Sequence, residues 1–306
     1  MAVPSEYSFQ RYLAAKKSLD DRSLNRHVWG ILKGEIEQKD PHLRILEIGA
    51  GIGTMIERVI ERQLVSNASY TAVEQQSRNL EIARVRLEGW ANQRGYRFEQ
   101  VSSDRILMSA PDTQINVEFK PVDFYHLQND NHTADRFDLL LAHAFLDLVD
   151  LPSALPFLFK LLKPGGIFYF SINYDGLTIL EPPLDGGLDE MVLELYQRTM
   201  DERWIEGKPS GDSRTGRHLY TQIKQQGAQI LDSGASDWVV FPRSGGYSTD
   251  EAYFLHFIIH TIHTSLDGNE RINQEHLSQW VNKRRRQIEQ GELLYIAHQL
   301  DFVGKV

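Results

Sequence analysis

The stretch Leu46-Glu47-Ile48-Gly49-Ala50-Gly51-Ile52-Gly53-Thr54 sets three glycines at alternate positions between an apolar run and a helix-forming segment. Residues 43–48 read as a short buried strand, bounded upstream by Pro41, and residues 54–63 read as a helix. Glycines at such a turn let the backbone approach a ligand and take conformations that side chains resist. At the carboxyl edge of a sheet the loop either binds a nucleotide-like ligand or is a purely structural tight turn.

The rest of the chain repeats this rhythm. A second strand over residues 70–73 ends at Glu74, and Ser77 is placed to cap a helix with Leu80, Ala83 and Leu87 facing inward. Residues 95–114 show no assignable pattern. Strands resume at 117–122, 137–142 and 167–172, the last entered through Lys163-Pro164-Gly165-Gly166, where proline presets φ and glycine permits a positive one. Strands alternating with helices specify an α/β fold with a mainly parallel sheet covered on both faces. Upstream, Asp20 or Asp21 could cap a helix running to about residue 38, with Leu24, Val28, Ile31 and Leu32 on one stripe. Downstream, residues 188–200, 214–226, 251–265 and 273–290 read as helices, with a polar loop at 207–216. Ile230 and residues 237–241 read as extended, and 292–303 as a closing strand.

Composition removes several functions. The 306 residues carry 33 Lys and Arg against 42 Asp and Glu, a net charge of −9, which disfavours a surface built to cover phosphate backbones. With no cysteine, disulfides, thiolate-held zinc, iron–sulfur clusters and thiolate nucleophiles are excluded. No apolar run reaches the ~18 residues of a membrane helix, and the opening residues lack the apolar stretch of a secretory signal. A cytoplasmic protein that does not engage membranes is the expectation.

Two carboxylates sharpen the glycine loop. Glu74 ends the next strand, where it could accept hydrogen bonds from both hydroxyls of a ribose, or be a solvated strand-end acid. Asp123 ends the third, where it could meet an adenine amino group or initiate a turn. A dinucleotide loop prefers glycine or alanine at the position held here by Thr54. S-adenosylmethionine, with ribose, adenine and an amino-acid tail but no phosphate, is the alternative.

Glu47-x-Gly49-x-Gly51-x-Gly53, Glu74, Asp123, Phe137-Asp138-Leu139-Leu140-Leu141 and Leu162-Lys163-Pro164-Gly165-Gly166 together resemble the class I S-adenosylmethionine-dependent methyltransferases. The resemblance covers residues 44–173, and the final strands in addition. It implies a Rossmann-like seven-stranded sheet with an antiparallel last strand, here 292–303, N-terminal helices and a helical cap before that strand. Residues 1–306 then form one methyltransferase domain: a helical lid at 1–40, a cofactor-binding core at 41–178, substrate-side helices and cap at 179–290, and the final strand at 291–306. By the same resemblance Gly49, Gly51 and Gly53 line the methionine part of the cofactor and Glu74 its ribose. Asp123 and Phe124 flank the adenine, Ala142 and His143 lie beneath the ligand, and Glu47 orders the loop or reaches the amino group.

The cofactor brings an activated methyl, so the protein chiefly positions an acceptor in line with it. His143 is the candidate general base; its structural alternative is a histidine bonded to a backbone group. The Asn/Asp-Pro-Pro-aromatic tetrad of amine-methylating enzymes acting on bases is replaced by Ala142-His143-Ala144-Phe145, and the strand-end aspartate of metal-dependent catechol-type enzymes is absent. The expected reaction is therefore methyl transfer to an oxygen or nitrogen of a small molecule. A protein or RNA acceptor and a non-catalytic cofactor-binding regulator are the alternatives. His256, His260 and His263 share a helix face, but no acid or cysteine completes a ligand set, so no metal is expected. That face, with Tyr253, could instead wall an acceptor pocket, as could Tyr174 and Arg214; Asp175 and His218 are further neighbours. Lys283 to Arg286 is either a phosphate grip or a solvated helix face, and Asp20-Asp21-Arg22 serves capping and surface pairing. The oligomeric state is not legible.

Overall fold

The computed structural model describes residues 3–127, 136–184, 187–205 and 207–306. In chain order the elements are α1 (Phe9–Ser23), α2 (Arg26–Ile36), β1 (His42–Ile48), α3 (Thr54–Glu61), β2 (Asn67–Glu74), α4 (Ser77–Gln93), β3 (Arg97–Gln100), β4 (Arg105–Ala110), β5 (Thr113–Pro121), α5 (Phe124–Leu127), β6 (Phe137–His143), α6 (Leu151–Lys160) and β7 (Leu162–Glu181). There follow α7 (Leu188–Asp201), the two-residue strands β8 (Trp204–Ile205) and β9 (Lys208–Pro209), α8 (Thr215–Gln225), β10 (Gln229–Ala235), β11 (Trp238–Val240), α9 (Thr249–Leu266), α10 (Gln274–Gln290) and β12 (Leu294–Lys305).

The main sheet runs β10-β12-β7-β6-β1-β2-β5-β4-β3, with β11 also on β12. Strands β5, β2, β1, β6 and β7 are mutually parallel, and β12 is antiparallel to β7 and β10. The antiparallel closing strand is thus where the resemblance placed it, but the described sheet has ten strands rather than seven. The additions are β11 at one side and the β3–β4 hairpin beyond β5. That hairpin occupies the stretch that had no readable pattern. On β4 only Ile106 and Met108 are fully buried, too short an alternation to stand out beside exposed charges.

Strand β6 shows why the sheet needs two covers. Leu139 and Leu141 enter one core and Leu140 and Ala142 the other, because successive side chains leave opposite faces. Helices α1–α4, α9 and α10 pack over the first face; α5, α6 and α8 pack over the second.

The N-terminal reading is corrected. Two helices replace one, because Asn25 ends the first and caps the second: its Oδ1 accepts from the amides of His27 and Val28. Asp20 and Asp21 lie inside α1 and cap nothing. Ser77 likewise is the first residue of α4, whose N-cap, Gln76, makes no side-chain cap bond. Ser248 makes a capping box with Glu251 at the start of α9.

Candidate active site

The carboxyl ends of β1, β2 and β6 surround a cavity of about 320 Å³, roofed by α1 and by the turn after α7. On its floor the glycine loop turns sharply: Gly49, Gly51 and Gly53 all hold positive φ, and the amides of Gly49 and Ala50 both donate to the Val73 carbonyl at 2.9 Å. A Cβ on Gly49 would stand 2.7 Å from the Phe145 ring, so glycine there keeps loop and wall in contact. At the end of β6 Ala144 also takes a left-handed φ of 50°, a cost met by its amide bonding the Ser171 carbonyl.

Most of the residues implied for the cofactor meet at this cavity. Glu47, Gly49, Gly51, Glu74, Asp123, Phe124 and His143 line it. Glu74 Oε2 accepts the Gly51 amide at 3.0 Å, while Oε1 accepts from the Gln76 amide and the buried Asn79 side chain. Asp123 Oδ1 accepts the Tyr125 amide at 2.7 Å, so this acid initiates a turn as well as facing the cavity. Two residues do not line it. Gly53 sits against Ala83 and Leu87, where it lets α3 and α4 approach, and Ala142 is packed into the core on the opposite face of β6.

Glu47 is buried, with its Oε2 accepting from the Tyr70 hydroxyl at 2.6 Å. Burial pushes its carboxyl up to about 7, against the opposing pull of Tyr70 and Arg58. His143 has both ring nitrogens engaged: Nδ1 lies 2.9 Å from Ser171 Oγ, and Nε2 lies 3.0 Å from Asp20 Oδ2. Burial first, then the Arg58 charge, hold its pKa down near 4. The ring is therefore neutral at pH 7, with Nε2–H donating to Asp20 and Nδ1 accepting the serine hydroxyl. Arg58 Nη1, 3.3 Å from Nε2, is then a close neighbour and not a donor to it.

Asp20 is the feature that reading the sequence misplaced. It is 1% exposed and accepts from Lys16 at 2.6 Å, His143 at 3.0 Å, Arg58 at 3.4 Å and the Trp238 indole at 2.9 Å. Burial alone would raise its carboxyl; Lys16, the His143 hydrogen bond and Arg58 outweigh that and hold it well below the usual range. Arg58 also reaches Asp21 at 2.5 Å and Thr54 at 3.2 Å, so α1 is tied to the glycine loop through ions rather than by capping or solvated pairing.

None of the residues suggested for an acceptor lines the cavity. Tyr174 bonds Thr178 within β7, and Arg214 is exposed before α8. Tyr253 bonds the backbone of Ser8, and His260 stacks on Tyr7 with ring centres 4.0 Å apart. His256 is fully buried inside α9's packing face. The cavity's remaining wall comes instead from Phe9, Leu13 and Lys16 on α1, Phe145, Leu148 and Val149 after β6, and Arg203 and Ile205 after α7. Only the position of Phe145 after β6 could have been read as a hint. The basic run is split by its helix: Arg284 is fully buried and paired with Asp189 at 2.5 Å, while Lys283 and Arg286 are exposed. Among the described residues no helix is long and apolar enough to cross a membrane.

Residues 46–168 match the model of a family described as a methyltransferase domain. The chain is similar in fold to a provisionally assigned methyltransferase of Bacillus halodurans C-125, with a TM-score of 0.50 and 10% identity over 90% of this chain and 98% of that one. Lower similarity is found to a geranyl diphosphate C-methyltransferase of Streptomyces coelicolor A3(2), with a TM-score of 0.43 and 8% identity over 90% and 78% of the two chains. An S-adenosylmethionine-dependent methyltransferase of Methanosarcina mazei also scores 0.43, with 13% identity over 88% and 94%. No curated protein matches the sequence.

Proposed function

We propose that this chain, a class I S-adenosylmethionine-dependent methyltransferase, moves the donor's methyl group to an oxygen or nitrogen of a small-molecule acceptor by in-line displacement. The observation that carries the reading is Glu74, a strand-end carboxylate that lines the cavity and is held against the glycine loop by the Gly51 amide. An acid so placed suits ribose hydroxyls. The loop suits a ligand without phosphate, since Lys16 and Arg58 beside it are both committed to Asp20.

When bound, the donor supplies a methyl group activated on a positive sulfur. Glu74 holds the sugar, the Gly49 to Gly51 backbone and Glu47 receive the amino-acid end, and Asp123 and Phe124 enclose the base. A protonated amine beside Glu47 would favour its ionised form. His143 does not take the acceptor's proton at neutral pH: a ring whose pKa lies near 4, with both nitrogens bonded, is a weak and occupied base. It instead fixes α1 through Asp20, so that Phe9 and Leu13 cover the cavity and keep water from it.

A macromolecular acceptor finds less support, since Arg284, inside the basic run, is buried in an ion pair. Calorimetry with S-adenosylmethionine and S-adenosylhomocysteine tests the cofactor assignment, and absence of binding for both removes it. Methyl-transfer assays over a metabolite library, with bound donor verified, separate an enzyme from a regulator that binds the donor and transfers nothing.

A further inference from the structure

The cavity wall carries two permanent cations among the described residues, and they are not equivalent. Lys16 is neutralised by Asp20 at 2.6 Å. Arg203, half-buried between α7 and β8, has no carboxylate within ion-pair distance among the described residues. Its Nε donates to the Ser210 carbonyl at 2.6 Å, and one Nη2 hydrogen points toward the Asp147 carbonyl at 3.5 Å. Carbonyl groups orient a guanidinium but do not cancel its charge.

The mounting is specific. The Ser210 amide donates back to the Arg203 carbonyl at 2.8 Å, and the Ser210 hydroxyl bonds the carbonyl of Leu148 in the cavity wall, also at 2.8 Å. Ser210 is 1% exposed, so this clasp is shielded from water. Next to it Gly211 has a φ of +117°, and a Cβ there would lie 2.6 Å from Arg203 Nη2 and 3.0 Å from the Met200 carbonyl. The backbone thus leaves room for the guanidinium where it stands.

Among the described residues the nearby acids are bonded elsewhere or make no ion pair with Arg203. Asp212 sits 2.6 Å from His218 and accepts the Arg214 amide, and Asp201 accepts from Ser213. Asp147 is the remaining one: its Oδ1 is buried without a hydrogen-bond partner, and it feels the Arg203 charge without forming an ion pair with it. The cavity that holds this cation has an apolar share of wall from Phe9, Leu13, Phe145, Leu148, Val149 and Ile205.

We propose that the acceptor is an organic acid with an apolar body, and that Arg203 is the specificity-determining residue that holds its carboxylate. A guanidinium fork matches a carboxylate in a paired geometry that an ammonium group cannot reproduce. The inference rests on the small-molecule reading above and narrows it to one substrate class. Asp147 then acts against the ligand, since its carboxyl already interacts at longer range with the same guanidinium; an amine acceptor would reverse that sign.

The test uses hexanoate, octanoate and phenylbutyrate beside hexylamine, octylamine and phenylbutylamine. Binding to the whole protein is measured by calorimetry with and without S-adenosylhomocysteine. Acids are expected to bind and the amines not. Arg203→Met weakens acid binding at least tenfold, Arg203→Lys recovers part of it, and Asp147→Asn tightens it, with S-adenosylhomocysteine affinity within about twofold of wild type throughout. Acids that fail to bind, that bind Arg203→Met as well as wild type, or that lose affinity in Asp147→Asn overturn the proposal, as does selective binding of the amines. Loss of S-adenosylhomocysteine binding by the wild-type protein would instead strike the cofactor reading, and Arg203-dependent acid binding would still be read without it.

Discussion

Replacing Asp20 with alanine removes four hydrogen-bond or ion-pair contacts from a residue that is 1% exposed. Lys16 and Arg58 would then keep buried charges without this shared partner. Breaking a buried ion pair from one side costs about 3–5 kcal/mol. Arg58 retains Asp21 at 2.5 Å, which places the expected loss in the lower half, about 3–4 kcal/mol. At about 2–4 °C per kcal/mol for chains of this general size, the melting temperature should fall by roughly 6–16 °C. The pH dependence follows from the direction of the shift. Because the folded carboxyl lies below its unfolded value, the contribution is present in full above about pH 4 and is lost as pH falls through the folded pKa. Denaturant titrations of both proteins at several pH values should therefore show a gap that is constant from about pH 5 to 8 and narrows only in stronger acid. A loss under about 1 kcal/mol, or a gap that changes between about pH 6 and 8, would refute the account of Asp20 as the charged hub under α1.

Glu74→Ala should weaken S-adenosylhomocysteine binding by roughly 10- to 150-fold in calorimetry, the worth of hydrogen bonds to a charged group, about 1.5–3 kcal/mol. An unchanged affinity would remove the ribose assignment. Glu47→Gln should melt higher than wild type at about pH 8 but not at about pH 5 in the absence of ligand. The raised carboxyl favours folding while protonated and loses that contribution as pH rises through about 7. The same variant should bind the donor more weakly, and a melting point at pH 8 below that of wild type would count against a buried, reluctantly charged Glu47. Gly53→Ala should destabilise by about 1–2 kcal/mol, from a left-handed φ and a Cβ 3.2 Å from Ala83. Since this residue does not line the cavity, donor affinity at saturating folded protein should move less than tenfold; a larger loss would return Gly53 to the binding loop.

What sequence alone determined lies in short, contiguous signals. The apolar run ending in Glu47 and Ile48, the glycines after it, the acids Glu74 and Asp123 at the next strand ends, and the Pro-Gly entry to β7 each express a local rule of turn chemistry or side-chain alternation. Those rules were enough to place a mainly parallel sheet, a closing strand and the ligand edge; the antiparallel direction of that strand came from the family resemblance. The hairpin of β3 and β4 escaped them because two buried residues on a short strand make no periodic signal.

Only tertiary structure decided which charges are buried together and which side chains wall the cavity. Asp20 and His143 are 123 residues apart and meet because α1 folds across the sheet edge. In sequence Asp20 is one more acid on a polar helix, and its role arises from desolvation and from the cations brought to it. Tyr253, His256 and His260 share a helix face as their spacing required, yet that face turns to Tyr7 and the helical core, away from the cavity that Arg203 reaches. Periodicity states which residues face together; what they face is set by packing between segments far apart in the chain, and that packing also sets the electrostatics of the site.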